Sequence, residues 1–132
     1  MDILDALSRS QHIRHVTTRH EQGAAFMADV YGRLTGKAGV ALSTLGPGAT
    51  NLLTGVADAN LDHAPLVAIT GQAGLDRMHK ESHQHVDLVA IFHPVTKWNS
   101  LVHLPHVVPE LVRKAFKLAE GEKPGATVTV HS

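Results

Sequence analysis

The chain has 132 residues, enough for one domain with a core of its own. Apolar residues make up 43% and charged residues 18%, a balance that excludes a disordered or fibrous chain. Twelve basic residues face twelve acidic ones with no run of like charge, which leaves no electrostatic footprint for nucleic acid or an anionic membrane. There is no cysteine, so disulfides and thiolate chemistry are excluded, and no apolar stretch approaches the ~20 residues of a membrane span.

In the opening segment Ile3, Leu4 and Leu7 sit at helical spacing. Asp2 and Asp5 stand where a signal peptide carries basic residues, so a cytoplasmic setting is expected. Residues 13–18 alternate and are β-branched, which predicts a strand. Glu21 opens a helix that runs to about Leu34 and is closed by Thr35-Gly36-Lys37. A second strand is predicted over 40–44, and Gly46-Pro47-Gly48 then turns the chain into a helix over 49–60. Residues 66–70 form a third strand with little polarity on either face, as suits a parallel sheet covered on both sides.

Residues 71–85 are polar and glycine-punctuated, the pattern of a loop. A short helix is expected over 87–92 and a strand over 95–98. Helical spacing resumes over 109–120 with Pro109 in the first turn, and residues 126–130 make the last strand. This alternation predicts an α/β fold, a doubly wound parallel sheet with helices on both faces, in one domain spanning 1–132. Because the chain opens on a helix, the expectation is an incomplete domain whose first strand is missing.

In such folds active sites lie beyond the carboxyl ends of the strands. Two ends stand out, Thr17-Thr18-Arg19-His20-Glu21 and Ser43-Thr44-Leu45-Gly46-Pro47-Gly48. The glycine turn is a near miss for a dinucleotide fingerprint, since Asn51 replaces the third glycine and no acidic residue follows at the next strand end. Nor is it a P-loop, and its bland reading is a tight strand-to-helix turn. Glu21 reads either as a carboxylate facing the crevice or as a first-turn glutamate favoured by the helix dipole. The helix over 49–61 is apolar on most sides, which predicts a partner packed over it or, alternatively, cover by its own chain.

His79, His83 and His85 near Glu81 lack the order and the fourth ligand of a metal site, so no metal is assigned and a solvated loop is expected. The remaining histidines are scattered. Ser43, Ser82 and Ser100 lack the context of a hydrolase nucleophile.

Taken together, the blocks carry a resemblance. Residues 19–29, reading Arg-His-Glu-Gln-Gly-Ala-Ala-Phe-Met-Ala-Asp, with Tyr31-Gly32-Arg33 and Thr35-Gly36-Lys37, begin it. Gly46-Pro47-Gly48-Ala49-Thr50-Asn51-Leu52, the block 55–59, Ala68-Ile69-Thr70-Gly71-Gln72, the block 79–84 and Pro94-Val95-Thr96-Lys97 extend it. The pattern resembles the pyrimidine-binding domain of thiamine diphosphate enzymes, most of all the acetolactate synthase large subunit. It covers nearly the whole chain.

The resemblance implies that Glu21 hydrogen-bonds N1′ of the aminopyrimidine, that Pro47 and Asn51 line the pyrimidine pocket, and that Gln84 reaches toward the thiazolium and bound intermediates. A carboxyl group at N1′ favours the 4′-imino tautomer, whose nitrogen can take the C2 proton, so Glu21 acts as an acid/base through the cofactor. Burial is expected to raise its pKa. The implied reaction is 2-oxo acid decarboxylation and carboligation from pyruvate, in branched-chain amino-acid biosynthesis.

The implied partners are a second subunit giving the diphosphate-binding domain, and a homodimer or higher oligomer formed through the 49–61 helix. Mg²⁺ belongs to a Gly-Asp-Gly motif of that other domain, which this sequence lacks, and FAD to a middle domain of the parent enzymes. The chain alone is therefore expected to be inactive. His83 and His85 depart from what acetolactate synthases often carry beside the glutamine. Two other readings stand beside this one: a domain of a glyoxylate carboligase or oxo-acid decarboxylase, and a non-catalytic remnant acting only in association.

Overall fold

The computed structural model describes residues 2–74, 76–77 and 84–132. Helix α1 (Asp2–Arg9) is followed by α2 (Glu21–Thr35), β1 (Gly39–Ser43), α3 (Pro47–Leu61) and β2 (Leu66–Gly71). Helix α4 (Leu88–Phe92), β3 (Trp98–Val102), α5 (Val108–Glu120) and β4 (Ala126–His131) complete the chain. The four strands form one parallel sheet in the order β1-β2-β4-β3. This is the doubly wound α/β fold that the alternating pattern predicts.

Alternation along each strand divides the core between two faces. Ala41, Leu66, Ala68, Ala126, Val128 and Val130 pack with α2, α3 and α4 in the larger cluster. Val67 and Ile69 join Ala115, Ala119, Phe116 and Trp98 in the smaller one under α5. Right-handed crossovers account for the division. The β1–β2 and β2–β3 connections move one way across the sheet and lay α3 and α4 on one face. The β3–β4 connection moves back and lays α5 on the other.

Helices α2 and α3 press together through small residues. A side chain at Gly55 would place its first carbon 2.6 Å from the Ala25 Cβ, and one at Gly32 would stand 2.3 Å from the Pro65 carbonyl oxygen. Arg33 fastens the same pair, donating from Nε to the buried Asp29 at 2.9 Å and from Nη2 to Asp58 at 2.9 Å, with Nη1 at 2.5 Å from Asp62. Asp29 and Asp62 hold its pKa well above the ordinary arginine value.

Three expectations are corrected. Residues 13–18 are no strand: the segment is exposed, with Ile13 59% and Val16 50% accessible, and among the described residues β1 pairs only with β2. Alternation supplies two faces, but a strand exists only with a ladder partner. The strand expected over 95–98 begins instead at Trp98, because Pro94 continues the winding of α4 into a 3₁₀ turn, His93–Val95. There Thr96 Oγ1 donates to the Phe92 carbonyl at 2.7 Å.

The third correction concerns the partner surface. Helix 49–61 is covered over most of its length by its own chain, with Ala49, Leu52, Gly55, Val56 and Ala59 buried and its last residue, Leu61, largely bare. The bare apolar surface lies on α2, where Phe26, Met27, Val30, Tyr31 and Leu34 are between 36% and 81% exposed. Among the described residues no helix is long and apolar enough to cross a membrane.

Candidate functional site

The site forms where the carboxyl end of β1 meets the amino ends of α2 and α3. Gly46 caps α3 with φ 57° and ψ −121°, a backbone that a side chain would not tolerate, and Pro47 opens the helix. Gly48 packs closely as well: an added Cβ would lie 2.6 Å from Thr44 Cγ2 and 3.3 Å from the Glu21 carboxylate. The turn is thus small for a reason beyond its own geometry. It lets Glu21 settle against the backbone of α3.

Asn51, one turn into α3, donates from Nδ2 to Glu21 Oε2 at 3.1 Å. The structure therefore joins Glu21 to Asn51, on the helix that Pro47 opens. Burial was expected to raise the Glu21 pKa, and here the balance runs the other way. The Asn51 amide and the Glu21 backbone N–H stabilise the carboxylate, burial opposes them weakly, and nearby His20 adds to the lowering. The result lies below the ordinary carboxylate value because the group is only partly desolvated.

Gln84 reaches the same turn from the other side. A Cβ on Gly46 would fall 2.6 Å from the Gln84 carbonyl oxygen and 2.8 Å from its Cβ. Gln84 holds φ 67°, a left-handed backbone uncommon outside glycine. It lines a cleft of about 380 Å³ together with Leu45, Gln72, Gly74, Asp76 and Arg77. Glu21 and Gln84 thus contact residues two positions apart on one turn.

Two further residues shape this end of the sheet without having been singled out from sequence. Gln72 is buried, donates to the Val86 carbonyl at 2.8 Å and accepts from the Ala73 amide at 2.9 Å, which ties together the two ends of the connection that carries Gln84. In the sequence it stands just past β2, inside one of the blocks that carry the resemblance. His20 caps α2, its ring accepting from the Gln22 amide at 3.2 Å.

Lys97, part of the resemblance, has a structural task instead, donating to the Leu118 and Glu122 carbonyls at the end of α5. The cluster of His79, Glu81 and His83 lies outside the described residues. Among the described residues no group of three metal-ligating side chains is assembled.

The family description "Thiamine pyrophosphate enzyme, N-terminal TPP binding domain" matches residues 1–91. An acetolactate synthase large subunit of Corynebacterium glutamicum is 46% identical over 125 residues, covering 95% of this chain and 20% of that protein. The acetolactate synthase isozyme 1 large subunit of Escherichia coli is 44% identical over 125 residues, 95% of this chain and 22% of that protein. A chloroplastic acetolactate synthase 2 of Nicotiana tabacum is 47% identical over 125 residues, 95% of this chain and 19% of that protein. The chain spans about a fifth of the length of these relatives. With the strand-end carboxylate and its glycine turn in place, this chain belongs to the thiamine pyrophosphate enzymes, as an N-terminal TPP-binding domain.

Proposed function

We propose that this chain supplies the aminopyrimidine half of a thiamine diphosphate site in an enzyme of the acetolactate synthase type. One observation carries the reading: Glu21 stands at the strand ends with one oxygen on Asn51 and the other against Gly48. The donor set fits the group, since a carboxylate suits a ring nitrogen that must gain and lose a proton. A cofactor held there would supply a carbon acid whose conjugate carbanion is the nucleophile toward the carbonyl of a 2-oxo acid such as pyruvate. Glu21 holds and returns the proton at N1′, Asn51 fixes the carboxylate, and Pro47 walls the ring. Gln84 faces the reacting end from across the turn.

Diphosphate and Mg²⁺ binding fall to a second domain, in a partner subunit, and the bare apolar face of α2 is where we place that domain. Its arrival would also desolvate Glu21 and raise its pKa toward the range in which a proton can be shared. FAD, where present, belongs to neither half.

A chimera tests the reading. This chain replaces the matching segment of the Corynebacterium glutamicum large subunit, and cofactor affinity and acetolactate formation are measured. The expected result is an active chimera that binds thiamine diphosphate. A folded chimera that neither binds it nor turns over contradicts the proposal.

A further inference from the structure

Glu21 is the first residue of α2, so its direction is set by how that helix begins. The first turn of any helix leaves N–H groups without intrahelical partners, and a side-chain acceptor at the cap normally takes one. Here the cap is His20, with φ −138° and ψ 137°. Its Nδ1 accepts from the Gln22 amide at 3.2 Å, which requires the ring proton to sit on Nε2. The His20 carbonyl accepts twice more, from the Gly23 amide at 3.0 Å and from Thr18 Oγ1 at 3.1 Å. Glu21 therefore stands between a residue held at three points and a residue whose amide is one of them.

We infer that His20 is a positioning residue for Glu21: its Nδ1 lone pair fixes the first turn of α2 and so holds the Glu21 carboxylate on Asn51. The inference rests on reading Glu21 as the working carboxylate. Asparagine would serve the same purpose, being among the best cap acceptors, whereas alanine offers no acceptor. The imidazole is therefore needed for its acceptor atom.

The test uses the 132-residue chain itself, free of cofactor, at pH about 7.5, where an ordinary imidazole is neutral. His20→Ala and His20→Asn are compared with the parent by amide hydrogen exchange at Gln22 and by the side-chain amide resonances of Asn51. Exchange at β2 and β4 reports the integrity of the sheet. In His20→Ala the Gln22 amide is expected to exchange about fivefold faster, the scale of a lost cap, with the Asn51 amide moving toward its free position. His20→Asn is expected to restore both to within about twofold of the parent.

Two results overturn the inference. One is His20→Ala with Gln22 and Asn51 unchanged. The other is His20→Asn as perturbed as His20→Ala, which would assign the effect to the bulk of the ring. Neither readout involves thiamine diphosphate, so failure here leaves the proposed function standing, and an inactive chimera leaves this inference untouched.

Discussion

Glu21 and Asn51 make a contact whose strength can be read by acid. Because the Glu21 pKa is lowered in the fold, its contribution to stability is present above the ordinary carboxylate value and is lost as pH falls through the depressed one. Asn51→Ala is expected to raise the Glu21 titration toward the ordinary value and to flatten the acid limb of stability. Carboxyl NMR and urea unfolding between about pH 6 and pH 3 measure both. An unchanged Glu21 titration would show that the 3.1 Å contact is not formed in solution.

Gln84 offers the opposite trade. Its left-handed backbone costs on the order of 1 kcal/mol that glycine would not incur. Gln84→Gly is expected to stabilise the chain slightly, while in the chimera it lowers turnover and leaves cofactor affinity nearly intact. Affinity falling in step with turnover would make Gln84 part of the pyrimidine pocket instead.

At the scale of elements, the α2–α3 pair positions the site, because Glu21 rides on one helix and Asn51 on the other. Gly55→Ala would drive a methyl group to 2.6 Å from the Ala25 Cβ. It is expected to cost about 1–3 kcal/mol and to part Glu21 from Asn51, as urea unfolding and the Asn51 side-chain resonances would show. The sheet carries a second pH dependence. Burial lowers the His131 pKa at the end of β4, so the stability it contributes is complete above its ordinary value near 6.5 and declines as pH falls below that. His131→Gln is expected to remove that part of the slope in the same unfolding series.

Much of this level was legible in the sequence. The apolar run 66–70 and the glycine turn located β2 and the start of α3 because burial and backbone geometry leave local marks. What escaped was decided by distant residues. Ile13 and Val16 have strand-like spacing, but no local pattern supplies a ladder partner. Helix 49–61 is apolar enough to need cover, yet only the fold shows that α2 and the sheet provide it. Glu21 was expected at the end of a strand over 13–18 that does not form, and it lies against Gly48 just past β1 instead. Its lowered pKa was not legible either, since that depends on an amide thirty residues away.

For the whole molecule, the exposed stripe of Phe26, Met27, Val30, Tyr31 and Leu34 is the surface that a monomer seldom leaves bare. The chain alone is expected to self-associate in sedimentation runs, and Met27→Lys with Leu34→Lys to reduce it. It is also expected to hold thiamine diphosphate poorly. A pyrimidine pocket gives a few polar contacts against an association cost of ~4–15 kcal/mol, without the diphosphate anchor. The most direct test of the central claim is C2 proton exchange of thiamine diphosphate bound to the chimera, with Glu21 and with Glu21→Gln. Exchange slowed by at least ~10²-fold in the variant, the scale of a lost acid/base group, is the expected result. Exchange at the parent rate would contradict the assignment of Glu21 as the residue that activates the cofactor.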